Sequence, residues 1–184
     1  MPRPQSIREV KTQITIHADP ETVWRNIERV PNIADHEQGF SFFHLLGFPR
    51  PVEATLSHEG IGGVRNATFE GGVLFVETIT DWRPQEALSF DIKADTGSIP
   101  PTTLDEHVTV GGPYFDVLEG RYRIEREGEG TVLLQLSSVH RLSTRFNFYS
   151  GVWTDFIMRD IQNNILGIIK HRCEDGSSRN VGSF

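Results

Sequence analysis

The sequence lacks most features that identify disulfide-bonded, membrane-spanning or nucleic-acid-binding proteins. It has one cysteine, Cys173, among 184 residues, so no internal disulfide can form and nothing points to an oxidising compartment. The longest apolar runs, such as 73–76 and 165–169, are far too short to span a bilayer. The net charge of −7 argues against a nucleic-acid partner, because phosphate binding requires a basic stripe. These absences predict a protein with no membrane span and no nucleic-acid partner.

The N-terminal segment 1–11 is polar and has no apolar run of the kind found in secretion signals. We therefore expect a cytoplasmic protein. A chain of this length can form one core without disulfides or metals, and no linker-like stretch divides it. We predict a single domain over 1–174, followed by a tail over 175–184 that we expect to be disordered.

A long helical pattern without internal proline runs from Asn147 to about Cys173. Its apolar residues recur every three or four positions, and such a helix would be roughly 40 Å long. A helix of that length has to lie across a broad surface, and a curved sheet beneath it often leaves a cavity. Three aromatic residues on one side, Tyr149, Trp153 and Phe156, are compatible either with core packing or with the lining of that cavity.

Strand patterns dominate the chain before this helix. A strand with alternating apolar residues occupies 9–17. Further strands are predicted over 52–58, 64–69, 74–82, 88–94, 114–126 and 131–142. The hairpin signal Gly71-Gly72 favours antiparallel pairing. After the first strand, Asp19-Pro20-Glu21 predicts the start of a short helix, and 32–47 holds either a second short helix or a loop. The predicted class is therefore α+β.

Four stretches of the chain resemble a known family. They are ITIHADPETVW (14–24), GIGGVR (60–65), ETITDWRP (77–84) and LGIIK (166–170). In this order they resemble the helix-grip fold of the START-like (SRPBCC) superfamily, which includes lipid-transfer domains, plant pollen allergens and polyketide cyclases. The resemblance implies a curved antiparallel sheet of six to seven strands around a long C-terminal helix, with one or two short helices after the first strand. It does not imply one function, because this fold serves carriers, receptors and enzymes.

Glu77 is the first candidate site residue. In its strand it shares a face with Phe75 and Ile79, so it points inward if they do. Pairing across Gly71-Gly72 sets Arg65 or Asn66 beside it, depending on the register. We consider two roles for Glu77: a polar anchor or general acid in a pocket, or a charge near the sheet edge that is solvated or paired with an arginine.

Tyr122 and His140 are the next candidates, because each shares a strand face with apolar residues and points inward if those residues do. Such residues either orient a ligand in an apolar pocket or are satisfied by the backbone. His36 and His107 are placed either at the cavity mouth or on the surface. The spacing of the histidines and the single cysteine does not fit a metal site, and we expect neither a metal nor a cofactor.

Three functions remain open. The first is a module that binds a hydrophobic or aromatic small molecule, lipid- or polyketide-like, between helix and sheet, with the segments 95–113 and 32–47 gating entry. The second is an enzyme of the cyclase or aromatase type, which the resemblance allows, moving protons with Glu77, His36 or His140. The third is a protein-interaction domain, favoured if an aromatic patch at 40–43 is exposed. A homodimer is compatible with each of them.

Overall fold

The computed structural model describes residues 5–30, 33, 50–72, 74–95, 115–143 and 147–180. At 95, 147–150 and 176–180 it describes the backbone alone. The predicted sites His36 and His107 and the aromatic segment 40–43 lie outside the described residues. The side chain of Tyr149 does too, although its backbone lies in a helix.

The described residues contain one seven-stranded sheet in which every neighbouring pair is antiparallel. Its spatial order is β1-β7-β6-β5-β4-β3-β2. The strands are β1 (Ser6–Ile16), β2 (Pro51–Leu56), β3 (Val64–Phe69), β4 (Leu74–Arg83), β5 (Ala87–Asp95), β6 (Phe115–Gly128) and β7 (Thr131–Leu142). From β2 to β7, neighbours along the chain are neighbours in the sheet, as hairpin connections predict.

Two α-helices accompany the sheet in the described part of the chain. Helix α1 (Pro20–Glu28) begins where predicted: Asp19 caps it by accepting a hydrogen bond of 2.8 Å from the backbone N–H of Thr22. Helix α2 (Asn147–Asn180) begins at the predicted residue but continues beyond the predicted end at Cys173. The second short helix considered within 32–47 falls outside the described residues. None of the described helices is both long and apolar enough to cross a membrane.

Glycines shape the turn between β2 and β3. Gly60 and Gly62 have φ angles of 99° and 86°, in the left-handed region that favours glycine. A Cβ at Gly63 would lie 2.3 Å from the carbonyl oxygen of His58, so this position has no room for a side chain. The segment GIGGVR therefore forms a tight turn that leads into a strand.

The main core lies between the sheet and the C-terminal half of α2. Strands β1 and β7 carry most of the contacts with α2, and α1 packs against the same helix. The core joins α1, the sheet and α2; it includes Ile27, Ile79, Leu88, Leu134, Leu166 and Ile169. Breaks in pairing at Ile79/Asp81 and Val117/Glu119 mark bulges, which bend a sheet. The α+β fold with a curled antiparallel sheet and a long C-terminal helix is confirmed.

Candidate functional site on the concave face of the sheet

Polar side chains cluster at two places on the sheet face that α2 covers. The first group, here called the Arg65 cluster, consists of Arg65, Glu77, Phe90 and Tyr122. The second, here called the His140 cluster, consists of Arg8, Phe115, His140 and Asp155. Both groups contain side chains that are almost completely buried, so their hydrogen-bond partners decide what they can do.

The Arg65 cluster is built by the register of β3 and β4. Arg65 lies directly opposite Glu77, one of the two alternatives that the hairpin spacing allowed. The Arg65 side chain donates through Nε to the Glu77 carboxylate and through Nη1 to the carbonyl oxygen of Ile27 in α1. The side chains of Arg65 and Glu77 are 5% and 8% exposed, so this is a buried ion pair. The hydrogen bond from Arg65 to Ile27 joins the sheet to α1.

Two aromatic rings enclose the guanidinium of Arg65. Its central carbon lies 4.5 Å from the ring centroid of Phe90 and 5.7 Å from that of Tyr122, within range of cation–π attraction. Gly120 makes this arrangement possible, because the Phe90 ring occupies the space of a Cβ: an added atom there would lie 2.5 Å from Phe90 Cε2. The glycine therefore sets the position of the ring.

Electrostatics keep Arg65 and Tyr122 in their usual protonation states. Burial lowers the pKa of Arg65, but the Glu77 carboxylate and the Tyr122 hydroxyl outweigh it and leave the pKa raised. Burial also raises the pKa of Tyr122, and the nearby Arg65 opposes this only in part. Arg65 is therefore a cation and Tyr122 a neutral hydroxyl. Glu77 is neither solvated nor near the sheet edge, because β4 lies between β3 and β5.

The His140 cluster lies towards the other end of the same face, beside the N-terminal half of α2. His140 is opposite Arg8 in β1 and opposite Val117 in β6. Arg8 binds Asp155 of α2 in a bidentate manner, with Nε–Oδ1 and Nη2–Oδ2 distances of 2.9 and 2.6 Å. The guanidinium reaches Asp155 across Gly151, where a Cβ would lie 2.8 Å from Arg8 Nη1. A glycine one turn before Asp155 thus makes room for the arginine.

His140 itself is completely buried, and in the described part of the chain neither ring nitrogen has a hydrogen-bond partner of good geometry. Its Nε2 lies 3.5 Å from Asp155 Oδ1, and its ring centroid lies 5.6 Å from that of Phe115. Burial lowers the pKa of His140; Asp155 opposes this and Arg8 adds to it. The hydrogen bonds from Arg8 lower the pKa of Asp155. The cluster therefore holds a neutral imidazole beside an ionised carboxylate.

Gln162, which the sequence analysis did not single out, links the helix to the sheet between these clusters. Its Nε2 donates to the carbonyl oxygen of Val10 at 3.1 Å and to Ser138 Oγ at 2.9 Å. Its Oε1 accepts from Thr12 Oγ1 at 3.0 Å. This amide is 1% exposed and fully engaged. The available signal was its helical spacing from the apolar residues Met158, Ile165 and Leu166, which places it on the apolar side of α2.

The other predicted site residues whose side chains the structure describes lie outside both clusters. Trp153 and Phe156 are 44% and 48% exposed, and their rings contact each other edge to face at 6.2 Å. Burial raises the pKa of the Cys173 thiol to about 12, so this cysteine is not an activated nucleophile. Among the residues that the structure describes, no group of three His, Cys, Asp or Glu side chains is arranged to hold a metal ion.

The chain is similar in structure to several solved proteins with distant sequences. For a START superfamily protein from Mycobacterium smegmatis the identity is 12% and the TM-score 0.58, with 91% of this chain and 97% of that one covered. For the protein TTHA0849 from Thermus thermophilus the values are 17% and 0.57, with 92% and 99% covered. For Ara h 8.0201 they are 10% and 0.54, again with 92% and 99% covered.

No protein-family model matches the sequence, and the search of curated proteins finds no match. At identities this low the similar structures speak for the fold alone. They agree with the antiparallel sheet, the short helix after β1 and the long final helix described above. The chain therefore has the helix-grip fold, which it shares with that START superfamily protein and with Ara h 8.0201.

Proposed function

We propose that this protein binds a hydrophobic small molecule between α2 and the concave face of the sheet. The observation that carries the proposal is His140, a completely buried imidazole without a well-formed hydrogen bond among the described residues. A buried polar group left unpaired costs about 1–3 kcal/mol. A bound molecule that supplies the missing partner would recover that free energy.

The surroundings of His140 favour an apolar ligand. Val10, Val117 and Met158 form a small buried cluster there, with Phe115 and Ile161 packed against it. An apolar site with few polar groups is the usual composition of a small-molecule pocket. Removal of ligand surface from water would supply most of the affinity, at about 25 cal/mol per Å² before the costs of binding.

We assign Glu77 and Tyr122 to the wall of this site rather than to proton transfer. The Glu77 carboxylate is engaged by Arg65, and the Tyr122 hydroxyl is held in the same cluster. A general acid has to release its proton to the ligand, and a carboxylate in a buried ion pair has none to release. Of the groups considered for proton transfer that the structure describes, His140 is the one that remains available. The enzymatic and partner-protein alternatives, the homodimer and the cytoplasmic location stay predictions.

The test is the binding of 2-methoxynaphthalene, an uncharged aromatic probe, measured by isothermal titration calorimetry. The variant Val117→Phe adds a ring on the concave face opposite His140. Its matched control, Val139→Phe, adds the same ring on the convex face of the neighbouring strand, where Val139 is opposite Glu9 and Glu119. We expect the wild type and the control to bind alike, and Val117→Phe to bind about tenfold more weakly because the space is filled.

Circular dichroism at the temperature of the titration verifies that both variants are folded. Absence of binding to the wild type would contradict the proposal. So would an equal loss of affinity in the concave and convex variants, because the probe would then bind somewhere other than the concave face.

A further inference from the structure

We propose that His140 Nδ1 is a hydrogen-bond acceptor that selects ligands carrying a hydroxyl donor, in particular a phenol. This inference rests on the proposed function and names the chemical class of the ligand. It follows from which ring nitrogen carries the proton, from the charges around the imidazole, and from the apolar groups beside it.

The carboxylate of Asp155 determines the tautomer of His140. A neutral imidazole carries one proton, and the nitrogen nearer to an anionic oxygen is the better place for it. Nε2 lies 3.5 Å from Asp155 Oδ1, so the proton belongs on Nε2. Nδ1 then presents a lone pair, and no donor among the described residues contacts it.

Arg8 holds Asp155 in this role. Its bidentate contact fixes the carboxylate and balances its charge. Without Arg8, the carboxylate would stabilise an imidazolium, which has no acceptor. With Arg8 present, the charged groups facing the imidazole from β1 and α2 are one cation and one anion. The imidazole stays neutral and Nδ1 stays an acceptor.

The charges of Arg8 and Asp155 also determine which polar group of a ligand can bind at His140. A ligand carboxylate would offer an acceptor to an acceptor, and it would approach the ionised Asp155. A neutral hydroxyl fits Nδ1, and a phenol is the stronger donor of the common hydroxyls. Phe115 and the apolar group of Val10, Val117 and Met158 suit its aromatic ring. Because both ring nitrogens are buried, the ligand reaches Nδ1 when a neighbouring side chain such as Phe115 turns aside.

A matched pair of ligands tests the proposal. 2-Naphthol and 2-methoxynaphthalene share a naphthalene ring, and in the second a methyl group replaces the hydroxyl hydrogen that the first can donate. We measure both dissociation constants, at about pH 7.5 where the naphthol is protonated, for the wild type and for His140→Leu. We expect the preference for the naphthol to fall about three- to tenfold in the variant, the value of one net hydrogen bond. For each protein we take the ratio of the two dissociation constants. Comparing this ratio between wild type and variant cancels the difference in hydrophobicity between the two ligands.

Two asparagine variants test Asp155 as a positioning residue. Asp155→Asn removes the charge that places the proton on Nε2, so the naphthol preference should fall. Asp116→Asn breaks a similar ion pair with Arg141, beside His140 in sequence but on the other face of the sheet. It should leave the preference unchanged. A purely structural role for Asp155 would weaken both ligands equally.

Nitrogen NMR of the wild type gives a readout that needs no variant. The ring of His140 should show a protonated Nε2 and a bare Nδ1, and 2-naphthol but not its methyl ether should shift the Nδ1 resonance. Tight binding of both ligands with equal ratios in wild type and His140→Leu would overturn the hydroxyl proposal and leave the proposed function standing. No binding of either ligand would overturn both.

Discussion

The buried ion pair of Arg65 and Glu77 is the residue-scale feature whose loss the fold should tolerate least. Removing one partner of a buried pair leaves an uncompensated charge, which costs about 3–5 kcal/mol. Glu77→Gln keeps the shape of the side chain and removes its charge. We expect it to lower the free energy of unfolding, measured by urea denaturation, by roughly 3 kcal/mol.

An exposed pair in the same strand provides the control. Arg83 and Asp81 contact at 3.0 Å, but their side chains are 50% and 33% exposed. Asp81→Asn should therefore lower stability by less than about 1 kcal/mol. If the two variants were equally stable, the Arg65–Glu77 pair would contribute no more than a surface pair, and the packing of Phe90 and Tyr122 would have to hold this region.

His140 should make the stability depend on pH at mild acidity. Burial lowers its pKa in the folded state, so the unfolded chain binds more protons once the pH falls below about 6.5. The stability contributed by the neutral buried imidazole is therefore present above that pH and is lost as the pH falls towards the folded pKa. We expect urea denaturation to show a larger loss from about pH 7.5 to 5.5 in the wild type than in His140→Leu.

Other groups should contribute little to this difference. Asp155 has a lowered pKa, so its contribution is lost only at more acidic pH, below the ordinary carboxylate range. His58 is exposed and bonded to Ser57, so His58→Gln serves as the control and should keep the wild-type pH dependence. An unchanged pH dependence in His140→Leu would mean that the imidazole is hydrated or charged in the folded protein.

At the scale of elements, α2 also covers the edge strand β1. Side chains of the helix donate to main-chain carbonyls of β1: Gln162 to Val10 at 3.1 Å and Lys170 to Thr15 at 2.7 Å. An edge strand with unpaired main-chain groups is a template for aggregation. The helix therefore supplies hydrogen-bond donors to carbonyl groups of this edge strand while it packs on the concave face.

Two glycines of α2 allow the helix itself to be tested. A Cβ at Gly167 would meet nothing within 4 Å, whereas a Cβ at Gly151 would lie 2.8 Å from the Arg8 guanidinium. Gly167→Ala should raise the free energy of unfolding by about 0.5–1 kcal/mol, because alanine loses less backbone entropy in a helix. Gly151→Ala gains the same propensity but displaces Arg8 from Asp155, so it should be less stable than Gly167→Ala.

Thermal unfolding of both variants measures the difference, and the double variant Arg8→Ala/Gly151→Ala separates its causes. If Arg8 is the obstacle, Gly151→Ala should be stabilising in a background that already lacks the Arg8 guanidinium. An equal gain in both single variants would show that Arg8 moves aside without losing its contact with Asp155.

At the scale of the whole molecule, the local patterns predicted the fold well and the site only in part. The bounds of β3 and β7 and the start of α2 agree with the sequence-based prediction, because periodicity and hairpin glycines are local signals. The pairing of Arg65 with Glu77 was one of the predicted alternatives for the same reason. The partners of His140 could not be predicted, because Arg8 and Asp155 are 147 positions apart and no local pattern brings them together.

The same separation predicts the order of folding. The contacts of Gln162 join the last helix to β1 across 150 positions, whereas β6 and β7 form a hairpin with a short turn. Closing the long loop costs more entropy before its contacts form. We expect the hairpin to form before the transition state and α2 to dock on β1 after it.

Stopped-flow folding and unfolding of two variants measures this order. Gln162→Leu leaves Val10, Thr12 and Ser138 without their partner, so it should speed unfolding and hardly change the main folding phase. Leu134→Ala removes a fully buried side chain from the β6–β7 hairpin, and it should slow folding. Slower folding in Gln162→Leu would mean that the ends of the chain meet early, because a contact absent from the transition state cannot change the rate of reaching it.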